Sequence, residues 1–299
     1  MNNMSRSEFI TIFSSFMLVS VDNQKPKIPL LSFSTLGCPD WNLSEIINFA
    51  AAHDYNGVEI RGIQRELDLP LSKYFNSPTA IKETKKQFSD KGIKITDLGS
   101  SCELHHANPV KRQKNLDEGK RFTDLAAKLE SPYIRVFPNN LPPDQDRNKT
   151  MELISLGLTE LGNYAKGSNI KVLMETHGDL TKSDDLEKVM SAVESKNAGL
   201  VWDIGNMWTI TKEPPSVVYN KLKQYIFHTH IKDLIKNGEK DHPTFLGKGE
   251  VPIFEAIDLL VKNHYKGYFS FEWEKLWNPE IEAPELAFAD YAVEMKKHF

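Results

Sequence analysis

Cysteine is nearly missing from this chain: only Cys38 and Cys102 occur among 299 residues, with no C-x-x-C pair and no metal-type spacing. That excludes a disulfide framework and makes a reduced, cytoplasmic protein the simplest expectation. Basic excess is missing too. The 37 lysines and arginines face 41 acids, the formal net charge is −4 and the isoelectric point is about 6.2. No block of positive charge suggests a nucleic-acid surface, so nucleic acid is not expected as a partner. Nor is a membrane, because the apolar run Ile10–Val21 is too short to span a bilayer. Preceded by Arg6, that run has the length of a signal peptide. Ser5-Arg6-Ser7-Glu8-Phe9 looks like a twin-arginine export signal without its second arginine, and no clear small-x-small cleavage site follows. Residues 1–26 are therefore expected to be a cytoplasmic extension, with a degenerate export signal as the alternative. Low-complexity segments and linkers are absent as well.

What is present is ordinary globular material, 40% hydrophobic and 26% charged, with enough apolar residues for a large core. From Lys27 onward a short β-prone run, a polar loop and an amphipathic stretch alternate. The strand candidates are Pro29–Phe33, Gly57–Arg61, Ile93–Leu98, Tyr133–Phe137, Lys171–Glu175, Gly199–Asp203, Tyr225–His230 and Tyr268–Glu272. Asn42 with Glu45 reads as a capping box, and Ser77-Pro78 as a helix start that Gly92 closes. Further helices are expected over Lys111–Leu129, Lys149–Ala165, Ser183 to about Ser195, after Pro214-Pro215, Ile253–Asn263 and Pro284–Lys297. A doubly wound sheet would carry G-x-G-x-x-G after its first strand, whereas Ser34-Thr35-Leu36-Gly37-Cys38 stands there. Eight alternations without a composition break predict an α/β fold, one (β/α)8 TIM barrel over residues 27–299.

In such barrels the active site lies at the carboxyl ends of the strands. Here four consecutive strand candidates end on Glu175, Asp203, His230 and Glu272, each after a core-like run. A carboxylate at the tip of a buried strand is costly unless paired or bound to a metal. One such residue would be a helix cap or an ion-pair partner. Four on adjacent strands about 4.8 Å apart converge on one point, which argues for a shared metal. Three oxygen donors and one imidazole suit Mn²⁺ first, with Mg²⁺, Co²⁺ or Zn²⁺ also acceptable. His228 shares the inward face of His230 but sits one layer deeper, where it orients a neighbour or fills the core.

Met-Glu175-Thr-His177-Gly-Asp, Trp-Asp203-Ile-Gly-Asn206, His228-Thr-His230-Ile-Lys232-Asp233, Leu-Gly247-Lys-Gly249-Glu and Phe-Ser-Phe-Glu272 follow one another in order. Together they resemble the xylose-isomerase-like sugar isomerase/epimerase superfamily, from about Pro29 to the C-terminus, and Gly-Val-Glu59-Ile-Arg61 fits its second strand. The resemblance implies one divalent metal on Glu175, Asp203, His230 and Glu272. It also implies that Glu175 and Glu272 are the acid–base pair acting on a sugar or cyclitol through an enediolate. Isomerisation or epimerisation is the favoured outcome and an inosose-type dehydration the alternative. Homo-oligomers are common in that family.

His177, Asn206, Lys232 and Arg61 are the expected substrate contacts, each with a simpler reading as a loop residue or an ion-pair partner. Asn206 stands where ketose epimerases of the family often carry a histidine, which counts against a straightforward ketose 3-epimerase. Arg135 reaches the interior if the fourth strand turns its polar face inward. Gly247-Lys248-Gly249 reads as a turn before it reads as a phosphate loop. Trp202, Trp208, Trp273 and Trp277 are candidates for an apolar wall or for the core. The apurinic-endonuclease branch needs more loop histidines than this chain offers, since Asp241-His242 lacks the Asp-x-His spacing. A sugar-binding barrel without catalysis is the remaining alternative.

Overall fold

A computed structural model describes residues 28–237 and 240–299; the expected extension over residues 1–26 lies outside them. The strands are β1 (Leu31–Ser34), β2 (Gly57–Ile60), β3 (Lys94–Glu103), β4 (Tyr133–Phe137), β5 (Lys171–Glu175), β6 (Ala198–Asp203), β7 (Ile226–Ile231), β8 (Asp233–Asn237), β9 (Lys240–Thr244) and β10 (Phe269–Phe271). All but β8 and β9 form one closed parallel barrel in which chain-order neighbours pair, β10 lies beside β7, and β1 beside β10 closes the ring. The expected (β/α)8 barrel is the observed fold.

The helices are α1 (Leu43–Ala52), α2 (Pro78–Asp90), α3 (Pro109–Leu129), α4 (Arg147–Tyr164), α5 (Ser183–Ser191), α6 (Ile204–Thr211), α7 (Pro215–Leu222), α8 (Ile253–Lys262) and α9 (Pro284–His298). Their starts follow local chemistry. Asn42 Oδ1 accepts from the Glu45 amide at 3.1 Å while Glu45 Oε2 accepts from the Asn42 amide at 2.7 Å, the reciprocal capping box. Ser77 Oγ accepts from the Ala80 amide, and Gly92 ends the segment after α2 at φ +69°. α9 seals the seam of the barrel. Phe288 stacks on Phe33 at 4.3 Å, Tyr291 stacks on Phe271 at 4.5 Å, and Tyr291 Oη donates to the Phe269 carbonyl.

Two elements depart from expectation. α6 begins directly at the end of β6, because Asp203 Oδ1 accepts from the Asn206 amide at 2.8 Å and so caps a helix built of poor helix formers. Between β7 and α8 the chain forms the β8–β9 hairpin, with Asp233 opposite Thr244 and Asn237 opposite Lys240.

The barrel's two surfaces differ sharply. Outward strand residues such as Val172, Met174, Leu200 and Trp202 join one continuous apolar cluster with the helices. Inward positions are also buried but largely polar: Ser32, Glu59, Asp97, Arg135, His228, His230 and Ser270 are each no more than 1% exposed. Ion pairs and hydrogen bonds among buried side chains therefore hold the interior, and they set up the site.

Candidate metal centre

Alternation along each strand brings four tips together. Glu175 ends β5, Asp203 ends β6, His230 lies on β7, and Glu272 directly follows β10. The register pairs Asp203 directly with His230, while Glu272 lies two residues beyond Ser270, the partner of His230, and Glu175 lies opposite Val201, two residues before Asp203. Each of the four offers a ligand atom within 4.8 Å of the other three. His230 Nδ1 stands 3.4 Å from Glu272 Oε1, 3.7 Å from Glu175 Oε1 and 3.9 Å from Asp203 Oδ2. Donors about 2.1 Å from one ion are separated by about 3–3.5 Å, close to this spacing.

A further residue fixes the imidazole. Glu59 Oε2, on β2, lies 3.0 Å from Nε2 of both His230 and His228 and accepts the Ser270 hydroxyl, also at 3.0 Å. With Nε2 donating to Glu59, His230 Nδ1 faces the three carboxylates and is buried without a hydrogen-bond partner; once deprotonated it offers its lone pair to a cation. Glu175 Oε2 and Asp203 Oδ2 are buried too, but each faces a cation of the chain, Arg135 at 3.1 Å and Lys232 at 2.9 Å. A buried imidazole nitrogen without a partner, facing three carboxylates, fits a divalent cation.

Cations of the chain balance the cluster. Lys232 Nζ donates to Glu272 Oε2 at 2.8 Å and Glu274 Oε1 at 2.7 Å, and lies 2.9 Å from Asp203 Oδ2. Arg135 Nε lies 3.1 Å from Glu175 Oε2, and its Nη1 donates to the Ser100 carbonyl. Burial alone would raise the Glu272 carboxyl, but His230 and Lys232 outweigh it and hold Glu272 well below the usual range. Burial, reinforced by Glu272 and Glu175, pushes Asp203 up to about 7 against the pull of Lys232. Burial and the neighbouring Arg135 bring Arg61 down to about 9.

Above the cluster opens a cavity of about 260 Å³ whose lining includes Arg61, Arg135, Asn139, Glu175, His177, Glu272 and Glu274. Among the expected substrate contacts, Arg61 and His177 line it, and His177 Nδ1 is 3.0 Å from Asn139 Oδ1. Asn206 Nδ2 lies 3.5 Å from Glu175 Oε1, at the edge of the cluster. Lys232 is 2% exposed and engaged with the carboxylates, the simpler ion-pair reading of that residue. Of the four candidate tryptophans, Trp277 lines the cavity at 56% exposure, whereas Trp202 and Trp273 are buried. The Gly247–Gly249 segment is a turn: the Gly249 amide donates to Asp233 Oδ2 at 2.8 Å, so a carboxylate occupies the place a phosphate would take.

Sequence reasoning missed the roles of Glu59, Asn139 and Glu274. Glu59 shares parity with Arg61, and Glu274 with Glu272, so period two was the available signal. Asn139 sits beyond β4 with φ +54°, and nothing in its local sequence marks it.

A closed parallel barrel that gathers three carboxylates and an imidazole at its carboxyl-terminal mouth defines a TIM barrel with a candidate divalent-metal centre. The chain belongs to the xylose isomerase-like TIM barrel family, whose profile matches residues 47–290. An inosose dehydratase of Clostridium beijerinckii is 26% identical over 167 residues, 49% of this chain and 53% of that protein, so the match spans about half of this curated relative. Among solved structures, the IOLI protein with a bound zinc atom has a TM-score of 0.75 at 18% identity, over 90% of this chain and 99% of that one. The 3-keto-D-glucoside 4-epimerase of E. coli has a TM-score of 0.72 at 16% identity, over 90% and 99%. Among the described residues no helix is long and apolar enough to cross a membrane.

Proposed function

We propose that this chain is a divalent-metal-dependent sugar isomerase or epimerase, acting through an enediolate on a ketose, keto-sugar or related polyol. One observation carries the reading: Glu175 and Glu272 both line the cavity, and each has an oxygen within 3.7 Å of the same His230 nitrogen. A divalent ion held by Glu175, Asp203, His230 and Glu272 would supply Lewis-acid polarisation of a substrate carbonyl. Mn²⁺ is the first choice, with Mg²⁺, Co²⁺ and Zn²⁺ compatible with the same donors.

The chain's own residues do the rest. Arg135 beside Glu175 and Lys232 beside Glu272 keep both groups ionised, ready to accept a proton from the carbon next to the carbonyl. One carboxylate takes that proton and releases it to water, while the other picks up a proton from water and delivers it to the enediolate. Return to the opposite face epimerises, and return to the neighbouring carbon interconverts aldose and ketose. Arg61 and His177 present donors to substrate oxygens, and Trp277 offers an apolar face. The cavity is smaller than the roughly 300 Å³ at which drug-sized sites begin, which suits a single sugar or cyclitol ring.

The test is α-proton exchange in D₂O with Mn²⁺ across a panel of ketoses, inososes and keto-glycosides. Glu272→Gln is expected to lower turnover by about 10²–10⁴-fold while retaining sugar binding. Unchanged turnover would sink the two-glutamate mechanism. A dehydratase is the second reading, favoured by the inosose dehydratase relative. Loss of one water from the product mass selects it.

A further inference from the structure

β3 runs past its neighbours, and what it delivers at its far end is not used by the centre on the barrel axis. Its last residue, Glu103, is followed by Leu104, His105 and His106 before Asn108 caps α3. Glu103, His105 and His106 each offer a ligand atom within 4.8 Å of the other two. Glu103 Oε2 lies 2.9 Å from His106 Nε2, and the His105 and His106 rings are 4.1 Å apart at 46°.

The surroundings hold this group in place. The Glu103 amide donates to Asn115 Oδ1 at 2.7 Å, the Leu104 amide donates to the Phe137 carbonyl, and Gln145 Nε2 donates to the His105 carbonyl at 2.9 Å. An ion pair would account for Glu103 and His106, whose side chains are 33% and 20% exposed. It leaves His105 unexplained. That residue is 6% exposed, its Nδ1 is buried with no hydrogen-bond partner, and a second imidazole lies alongside it. A buried polar nitrogen left unpaired is unfavourable unless something supplies the missing contact.

We propose that Glu103, His105 and His106 form a second divalent-cation site, separate from the barrel-axis cluster, at the tip of β3. Two imidazole nitrogens and one carboxylate oxygen are a set that favours Zn²⁺, with the remaining positions open to water. The axial cluster, with three oxygens and one nitrogen, is the harder of the two sites. The second site also reaches the cavity: Glu103 Oε1 accepts from the Asn139 amide group, and Asn139 Oδ1 in turn meets His177. A cation there ties the tips of β3, β4 and β5 and positions His177 for substrate.

The test is zinc content per chain, by elemental analysis, after the full-length protein is stripped with chelator and dialysed against micromolar Zn²⁺. The proteins compared are wild type, Glu103→Gln, His106→Gln and Asp203→Asn. About two equivalents are expected in wild type and about one in each variant. Far-UV circular dichroism and the equivalent retained by the first two variants report that they are folded. Two equivalents unchanged in both Glu103→Gln and His106→Gln overturn the site. So does a single wild-type equivalent that only Asp203→Asn loses, an outcome that leaves the axial centre standing. A single equivalent lost in the β3 variants and kept in Asp203→Asn supports this site and sinks the axial one. No bound zinc overturns both.

Discussion

Glu59 holds three donors on one carboxylate oxygen, and two of them are the imidazoles of β7. It touches none of the cavity, yet it sets which nitrogen of His230 faces the carboxylates. Glu59→Gln keeps the shape and loses the charge. The expected result is a 10–100-fold weaker metal affinity, read by chelator competition, with all four ligands intact. Glu59→Ala leaves two buried histidines without their partner and is expected to cost about 3–5 kcal/mol in denaturant melts. Asp97 is the opposite case. Burial first and Glu59 second raise its carboxyl to about 8, and neither oxygen finds a hydrogen bond. A folded-state value above the unfolded one means the folded protein binds this proton more tightly. The associated stability is present below the unfolded value of 3.8 and is lost as pH rises through about 8. In metal-free protein, the stability difference between pH 5 and pH 9 should therefore shrink in Asp97→Asn. An identical pH dependence in both proteins would remove Asp97 as its source.

At the scale of elements, β3 lets the side chains of its neighbours meet across it. A Cβ on Gly99 would stand 2.8 Å from Arg61 Cδ and 3.0 Å from Arg135 Nη2, so the bare strand surface is what admits both guanidinium groups to the cavity wall. Gly99→Ala is expected to displace Arg135 from Glu175, lowering activity well beyond the overpacking cost of about 1–3 kcal/mol in stability. An active, equally stable variant would argue that the arginines have room to spare. The eight barrel strands and most helix starts were legible because each is written locally, in an apolar run, a capping residue or a terminating glycine. α6 was hidden because its signal is the capping carboxylate of Asp203, which reads equally well as a metal ligand and serves the structure as a cap. The β8–β9 hairpin did have a signal, Asn237-Gly238 within a polar stretch, that a search for strand–helix units passes over. Glu59 and Asn139 were illegible as partners because their contacts span 171 and 38 residues of chain.

Across the whole molecule, the four tips that carry the candidate ligands come from β5, β6, β7 and the end of β10, a contiguous arc that runs up to the β1–β10 seam. A metal bound there would tie one half of the ring to the point where the barrel closes. Because the four donors converge only in the folded chain, metal that binds the native state stabilises it by about 2.7 kcal/mol at a concentration of 100 Kd. For a domain of this size that corresponds to a rise of roughly 5–10 °C in Tm. Chelator-treated protein is expected to melt lower in a single transition, recover on addition of Mn²⁺ or Zn²⁺, and show no Mn²⁺ shift in Asp203→Asn. A Mn²⁺ shift of the same size in that variant would mean the stabilising ion sits elsewhere. Two separated transitions in the metal-free protein would mean that β1–β4 fold without the arc, and that the centre is an addition to one half of the barrel and not a clasp for the whole.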